Sequence, residues 1–399
     1  MKTSRILAIL LCLCMMAGIL TGCGSKSAAP AETAAPAAEA PAETAAPAAE
    51  PEAPAAPAMR TITDLEGREV TIPENVESVI AIPWPWTSIV FAVDGTEEHI
   101  ASMSATAKKS YENCLFKTLA PGLGDTDSGY VDDAGTGGVF GTVNFEEMAK
   151  IDPDLVVLYK ANAGDLPNYE AIGVPAVIVN YGTLEQVHKG IRLLGEIFHK
   201  EDRAEQIVAY HENTEAAVAE LVKDIPEEEK PSVLYLYNSS LMTQPIGFPG
   251  WMIEEAGGVN AGGTLEITGD NTSGFVAMDM EKIYAMDPDI IIMSNFDPFT
   301  PEQIYNNEIA DADWSQLKAV QNHRVYKIPM GIYRWSQPNV EAHLFLEWLG
   351  KLTQPEAFAD VDLKADTIEF YKTMFNYDLS DAELDQLYRT AMNETANIW

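Results

Sequence analysis

Arg334 is the residue whose type and setting point most directly to chemistry. It lies in Gly331-Ile332-Tyr333-Arg334-Trp335-Ser336-Gln337, flanked by aromatics and just behind Val325 to Ile328, which reads as a short strand. A guanidinium is planar and presents a fork of donors, so it can clamp a carboxylate, phosphate or other oxyanion bidentately. The chain holds 25 Lys and Arg against 61 Asp and Glu, so a cation set among aromatics is uncommon here. The competing role is a salt bridge to a carboxylate of the fold. Other constellations are weaker. His343 and Glu347 stand one helical turn apart, as a metal pair could, but Leu344, Phe345, Trp348 and Leu349 around them indicate ordinary packing, and no metal is expected. His211 and Glu215 share that spacing and read as solvated. Asp125 to Asp133 is similar to a calcium loop, yet its glycine comes one position early and no Glu stands at the twelfth place. It reads as a loop at the edge of a cleft.

The elements that must position Arg334 alternate between strand and helix. Ser78 to Ile82, Leu155 to Tyr159 and Ala176 to Asn180 are near-continuous apolar runs with β-branched residues, as expected of strands buried on both faces of a parallel sheet. Val233 to Tyr237, Ile290 to Met293 and Val325 to Ile328 repeat the pattern, with helices expected at Thr87 to Val93, Ala105 to Leu119, Gly250 to Ala256, Val340 to Leu349, Thr367 to Phe375 and Asp381 to Thr390. The fold class is therefore α/β, with two lobes carrying parallel sheets. Between them, Thr183 to Ile225 has helical periodicity. Thr183 and Gln186 form a capping box, Pro226 ends the stretch, and a second start signal at Asp202 and Glu205 predicts two helices broken near Lys200. The second helix is a stiff spine joining the lobes.

An internal repeat supports pseudo-symmetry across that spine. Asn144 to Leu158 aligns without gaps on Asp279 to Met293, each a short helix, an Asp-Pro-Asp turn and a buried strand, with Glu146 and Glu281 six residues before the turn. Ligands of α/β lobes meet the loops at the carboxyl ends of strands. That rule selects Trp84, Trp86, Thr87 and Lys160 in the first lobe, and Tyr237, Trp251, Tyr333, Arg334 and Trp335 in the second.

Net charge is −36, which excludes nucleic acid as a partner because phosphate backbones need clustered Lys and Arg. Lys2 and Arg5 precede an apolar run, Ile6 to Leu20, with the build of a secretory signal and too short for a comfortable membrane span. It ends Leu20-Thr21-Gly22-Cys23, which resembles a bacterial lipobox whose cysteine is acylated. Residues 1–22 then form a signal peptide, and 23–58 the lipidated Cys23 with an Ala/Pro/Glu tether in which prolines prevent helix. The folded part divides into a first lobe at 59–199, a linking helix at 200–225 and a second lobe at 226–399. Processing leaves Cys114 as the one thiol besides Cys23, and it reads as a buried small side chain.

Several features together resemble one family. These are the lipobox, the Asp64-Leu65-Glu66-Gly67-Arg68 opening, both Glu…Asp-Pro-Asp units, Leu194-Gly195-Glu196-Ile197 with Glu201-Asp202-Arg203-Ala204 on the spine, and Glu255-Ala256-Gly257-Gly258-Val259-Asn260. They look like the helical-backbone substrate-binding proteins of ABC importers, which handle ferric siderophores, haem, cobalamin and, in some branches, molybdate or tungstate. The resemblance implies an extracytoplasmic, lipid-anchored binder that carries a solute in an inter-lobe cleft to permease subunits. It also implies permease docking through Glu146 and Glu281, although a carboxylate facing the helix dipole predicts the same residue type there. A metal chelate is the first expected ligand because aromatics dominate the selected residues, and an oxyanion is the second. No Gly-x-Ser-x-Gly, His-Glu-x-x-His, P-loop or paired cysteines occur, so no cofactor or enzyme activity is expected, with a dispersed extracytoplasmic hydrolase as the remaining alternative.

Overall fold

The computed structural model describes residues 58–126, 128–132, 141–180, 182–267, 274–396 and 398. The signal peptide, Cys23, the tether up to residue 57, and Asp127 and Asp133 of the calcium-like loop lie outside the described residues. No helix among those described is long and apolar enough to cross a membrane.

Each lobe is built on a four-stranded parallel sheet. In the first, Ile100–Met103, Val79–Ala81, Leu155–Tyr159 and Ala176–Val179 lie in that spatial order. In the second, the order is Val259–Asn260, Ser232–Leu236, Ile290–Met293 and Val325–Lys327. Numbered along the chain within each lobe, both sheets read 2-1-3-4, so the sequence repeat is a repeat of topology. Every residue of Leu155–Tyr159 and Ile290–Met293 is buried. The edge strands Ile100–Met103 and Val259–Asn260 were not expected. One is interrupted by Ala101 and Ser102 and the other has two residues, too little for a period of two.

The Asp-Pro-Asp turns do the same work twice. The first aspartate, Asp152 or Asp287, closes its helix in the left-handed conformation, at φ 52° and 41°. The second reaches the preceding strand: Asp154 accepts from Glu77 N at 2.8 Å, and Asp289 from Ser232 N at 2.9 Å. Each turn thus bolts the entry of the third strand to that of the first.

The linking stretch is two helices, Leu184–Phe198 and Glu201–Val222. The Thr183–Gln186 capping box is present. His199 turns left-handed at φ 54° and makes the break. The start signal at Asp202 does not operate, because the second helix begins one residue earlier with Lys200 as its cap and without a side-chain bond. At 22 residues this helix spans roughly 33 Å. It packs on Ala342–Thr353 and Phe248–Glu255 of the second lobe, whereas Leu184–Phe198 packs on Trp86–Asp94 of the first. His211 is fully buried on it rather than solvated, accepting from or donating to His188 at 3.1 Å and donating to the Val340 carbonyl at 2.9 Å. The expected helix from Ala105 to Leu119 is two pieces, Ala105–Tyr111 and Phe116–Leu119. Between them Cys114 is buried, its thiol pushed up to about 12 by burial. Phe375, at the end of Leu363–Phe375, stacks on Phe91 at 5.7 Å, so this late helix returns to the first lobe.

Helix Ala342–Thr353 holds His343 in the core, as its apolar neighbours imply, with Glu347 partly buried one turn on. Among the described residues no group of His, Cys, Asp or Glu could hold a metal. Burial, with Asp366 nearby, raises the Glu347 carboxyl to about 8. An unfolded Glu ionises near 4.3. Between these values unfolding releases a proton, so this group lowers stability as pH rises, by up to about 1.4 kcal/mol per unit. Glu347→Gln should therefore gain on the wild type progressively from about pH 5 to about pH 8 in chemical denaturation. A gain independent of pH would contradict this assignment.

Candidate ligand site

Arg334 owes its position to a buried glutamate. Glu341 Oε2 accepts from Ile332 N at 2.8 Å and from Tyr333 N at 3.4 Å, and its Oε1 accepts from the Tyr371 hydroxyl at 2.6 Å. Burial raises this carboxyl to about 7. Gly331 permits the approach, since a Cβ there would stand 1.7 Å from Glu341 Oε1. The carbonyl of Arg334 accepts from Gln337 N at 3.1 Å and from Asn339 Nδ2 at 3.4 Å. The run from Gly331 to Asn339 is thereby locked before its side chains are considered.

Arg334 is 3% exposed. Its Nε donates to the Asn295 carbonyl at 3.2 Å and its Nη1 to the Tyr333 hydroxyl at 3.1 Å. It lies over the Phe296 ring, 4.2 Å from the centroid. No carboxylate is within salt-bridge distance among the described residues, so the competing structural role is not realised. Of its five N–H donors two are used among the described residues.

Phe296 links this cation to the other lobe. Its ring is 6.1 Å from that of Trp84 and 5.1 Å from that of Tyr237, and Tyr237 is 4.3 Å from Phe275. Arg334 and Phe296 also line a cavity of about 350 Å³, whose lining includes Lys109 and Asn113 of the first lobe and Asp297, Lys327 and Arg389 of the second. Lys327 Nζ donates to the carbonyls of Asp297 and Phe299, at 2.9 and 2.8 Å. Burial, and after it Arg389, pull its ammonium down to about 7.

The selected residues separate clearly. Trp84, Tyr237, Tyr333 and Arg334 come together, with the Tyr333 hydroxyl pushed up to about 12 by burial. Trp86 does not line a cleft. It is fully buried, its Nε1 donates to the Tyr159 hydroxyl at 3.0 Å, and its ring fills the space over Gly190, where a Cβ would meet it at 2.1 Å. Trp335 is likewise core, edge-on to Tyr388 at 5.5 Å. Thr87 is buried with a hydroxyl that has no hydrogen-bond partner among the described residues. Lys160 is exposed and paired with Glu66 at 2.7 Å. Trp251 packs beside Phe248, away from Arg334's contacts. Asn295, Phe296, Lys109, Lys327 and Arg389 were missed. The strand-end rule, applied to the exit of Ile290–Met293, would have found the first two; nothing local marks the three cations.

Glu146 and Glu281 occupy matching first turns, in Phe145–Ile151 and Met280–Met286, and both are exposed. The caps are supplied by Asn144, accepting from Glu146 N at 3.1 Å, and Asp279, accepting from Lys282 N at 2.8 Å. Neither glutamate side chain accepts a hydrogen bond among the described residues.

Two α/β lobes of one topology, bridged by a rigid helix and meeting at aromatic and cationic strand ends, define a two-lobed solute-binding protein. The chain belongs to the periplasmic binding protein family, whose model matches residues 89–330, and within it to the helical-backbone binding proteins of ABC importers. It is similar to a solved periplasmic solute-binding protein from Veillonella parvula, at 40% identity and a TM-score of 0.76 over 85% of this chain and 99% of that one. Among curated proteins it is 24% identical to the molybdate-binding protein MolA of Haemophilus influenzae, over 80% of this chain and 92% of MolA. It is also 24% identical to YvrC of Bacillus subtilis, described as an uncharacterized ABC transporter substrate-binding lipoprotein, over 75% and 87% of the two chains. The function is thus that of an ABC-transporter substrate-binding protein, which delivers a ligand to permease subunits.

Proposed function

We propose that the solute is a compact oxyanion of the molybdate or tungstate kind, held by Arg334 between the lobes. The observation that carries this reading is a buried arginine with no carboxylate partner among the described residues, lining a cavity that gathers three more basic side chains in a strongly acidic chain. The case for a metal chelate rested on aromatics, and Trp86 and Trp335 belong to the core. A chelate bearing anionic groups is the second reading, favoured by the ring wall of Trp84, Tyr237, Phe275 and Phe296. MolA, named for molybdate, supports the first.

Cys23 carries the lipid in this reading, holding the protein on the outer face of the membrane through the Ala/Pro/Glu tether after removal of residues 1–22. Glu146 and Glu281 engage the permease, one from each lobe. Trp84 is placed to report binding by its fluorescence. Titration of the purified protein with molybdate, tungstate, ferric citrate, haem and cobalamin tests the assignment. Saturation by the two oxyanions is expected, and a response to chelates alone would replace the first reading with the second.

A further inference from the structure

We propose that Arg389 is a second anion clamp, which makes this site select a divalent oxyanion over a monovalent one of the same shape. The inference rests on the oxyanion reading and goes beyond it in naming charge as the selected property. Arg389 follows helix Asp381–Tyr388 and lines the same 350 Å³ cavity as Arg334, although the two are far apart in sequence. Its Nη2 donates to the Met330 thioether at 3.3 Å, a weak acceptor, and its Nε is buried without a hydrogen-bond partner among the described residues. Among the described residues no carboxylate pairs with it. A guanidinium withdrawn from water without a counter-charge is costly to keep, which is why burial lowers its pKa.

The rest of the lining repeats the pattern. Asp297 is the acidic residue there, and its carboxylate is already engaged by Ser239, through N at 3.0 Å and Oγ at 2.5 Å. Lys327 gives its ammonium to backbone carbonyls, and Lys109 approaches from the first lobe. Cations crowd one another here, and Arg389 is among the groups that depress Lys327. An anion of charge two relieves that repulsion more than an anion of charge one, while shape and hydrogen-bond geometry stay equal. With Lys109 on one lobe and Arg389 on the other, the same charge also draws the lobes together.

Calorimetry with molybdate and perrhenate, both tetrahedral oxyanions, separates charge from shape. The wild type should bind molybdate at least about 100-fold tighter than perrhenate, since the second negative charge interacts with several cations at once in a partly dry site. Arg389→Gln should lose about 10- to 100-fold for molybdate and less than about threefold for perrhenate. Lys109→Gln, at an exposed position that does not put folding at risk, should show a smaller loss of the same sign. Equal losses for both anions, or unchanged molybdate affinity in both variants, would overturn the clamp while leaving the oxyanion reading intact. A wild type that binds neither anion would overturn that reading and the clamp with it.

Discussion

Arg334→Gln is expected to lower affinity for the bound anion by about 100-fold or more without unfolding the protein. Among the described residues the side chain makes no salt bridge, so its loss leaves none of their carboxylates unpaired. What the fold loses is two hydrogen bonds, to the Asn295 carbonyl and the Tyr333 hydroxyl, and the stacking on Phe296, on the order of 1–3 kcal/mol together. An anion bound as proposed would lose charge-assisted hydrogen bonds to a buried arginine, each contributing about 1.5–3 kcal/mol. Arg334→Lys keeps the charge and discards the fork, so it should fall between, about tenfold weaker. Binding by the glutamine variant within about threefold of wild type would mean that Arg334 holds the loop and not the solute.

Reversing both glutamates, Glu146→Arg with Glu281→Arg, should leave solute affinity within about twofold and reduce uptake by more than about tenfold. The side chains are exposed, and Asn144 and Asp279 already cap their helices, so the folded protein has little use for them. At most a few tenths of a kcal/mol of dipole stabilisation per helix would be forfeited. Across an interface, by contrast, a charge pair that loses water and meets a like charge instead costs about 2–5 kcal/mol. Uptake in cells and solute binding in vitro must be measured on the same double variant. Wild-type uptake with wild-type binding would assign both residues to the helices alone.

Much of the architecture was legible because it is written in local periodicity. Runs such as Leu155 to Tyr159 and Ile290 to Met293 are apolar throughout because both faces of a parallel strand are covered, and a window of five residues suffices to see it. The Asp-Pro-Asp units were visible for a related reason: a left-handed helix end, a proline and a strand-entry cap all demand particular residues at fixed offsets. The break between the two linking helices was visible, but its cause was not, since a left-handed histidine carries no signature. Edge strands as short as Val259–Asn260 offer too few residues to show any period.

The sequence alone therefore determined the two α/β lobes, their repeat, the helical spine and the prominence of Arg334. Tertiary structure decided which neighbours of those features meet between the lobes and which are sealed in a core. Trp84 and Trp86 stand two residues apart beside prolines, yet one packs across the lobes on Phe296 and the other is sealed over Gly190. Lys109, Lys327 and Arg389 come from three distant helices and strands and share no pattern, because a cavity's charge arises from convergence in space. Periodicity reports which face of an element is covered; only packing settles what covers it, and the choice between an aromatic and a cationic site turned on that difference.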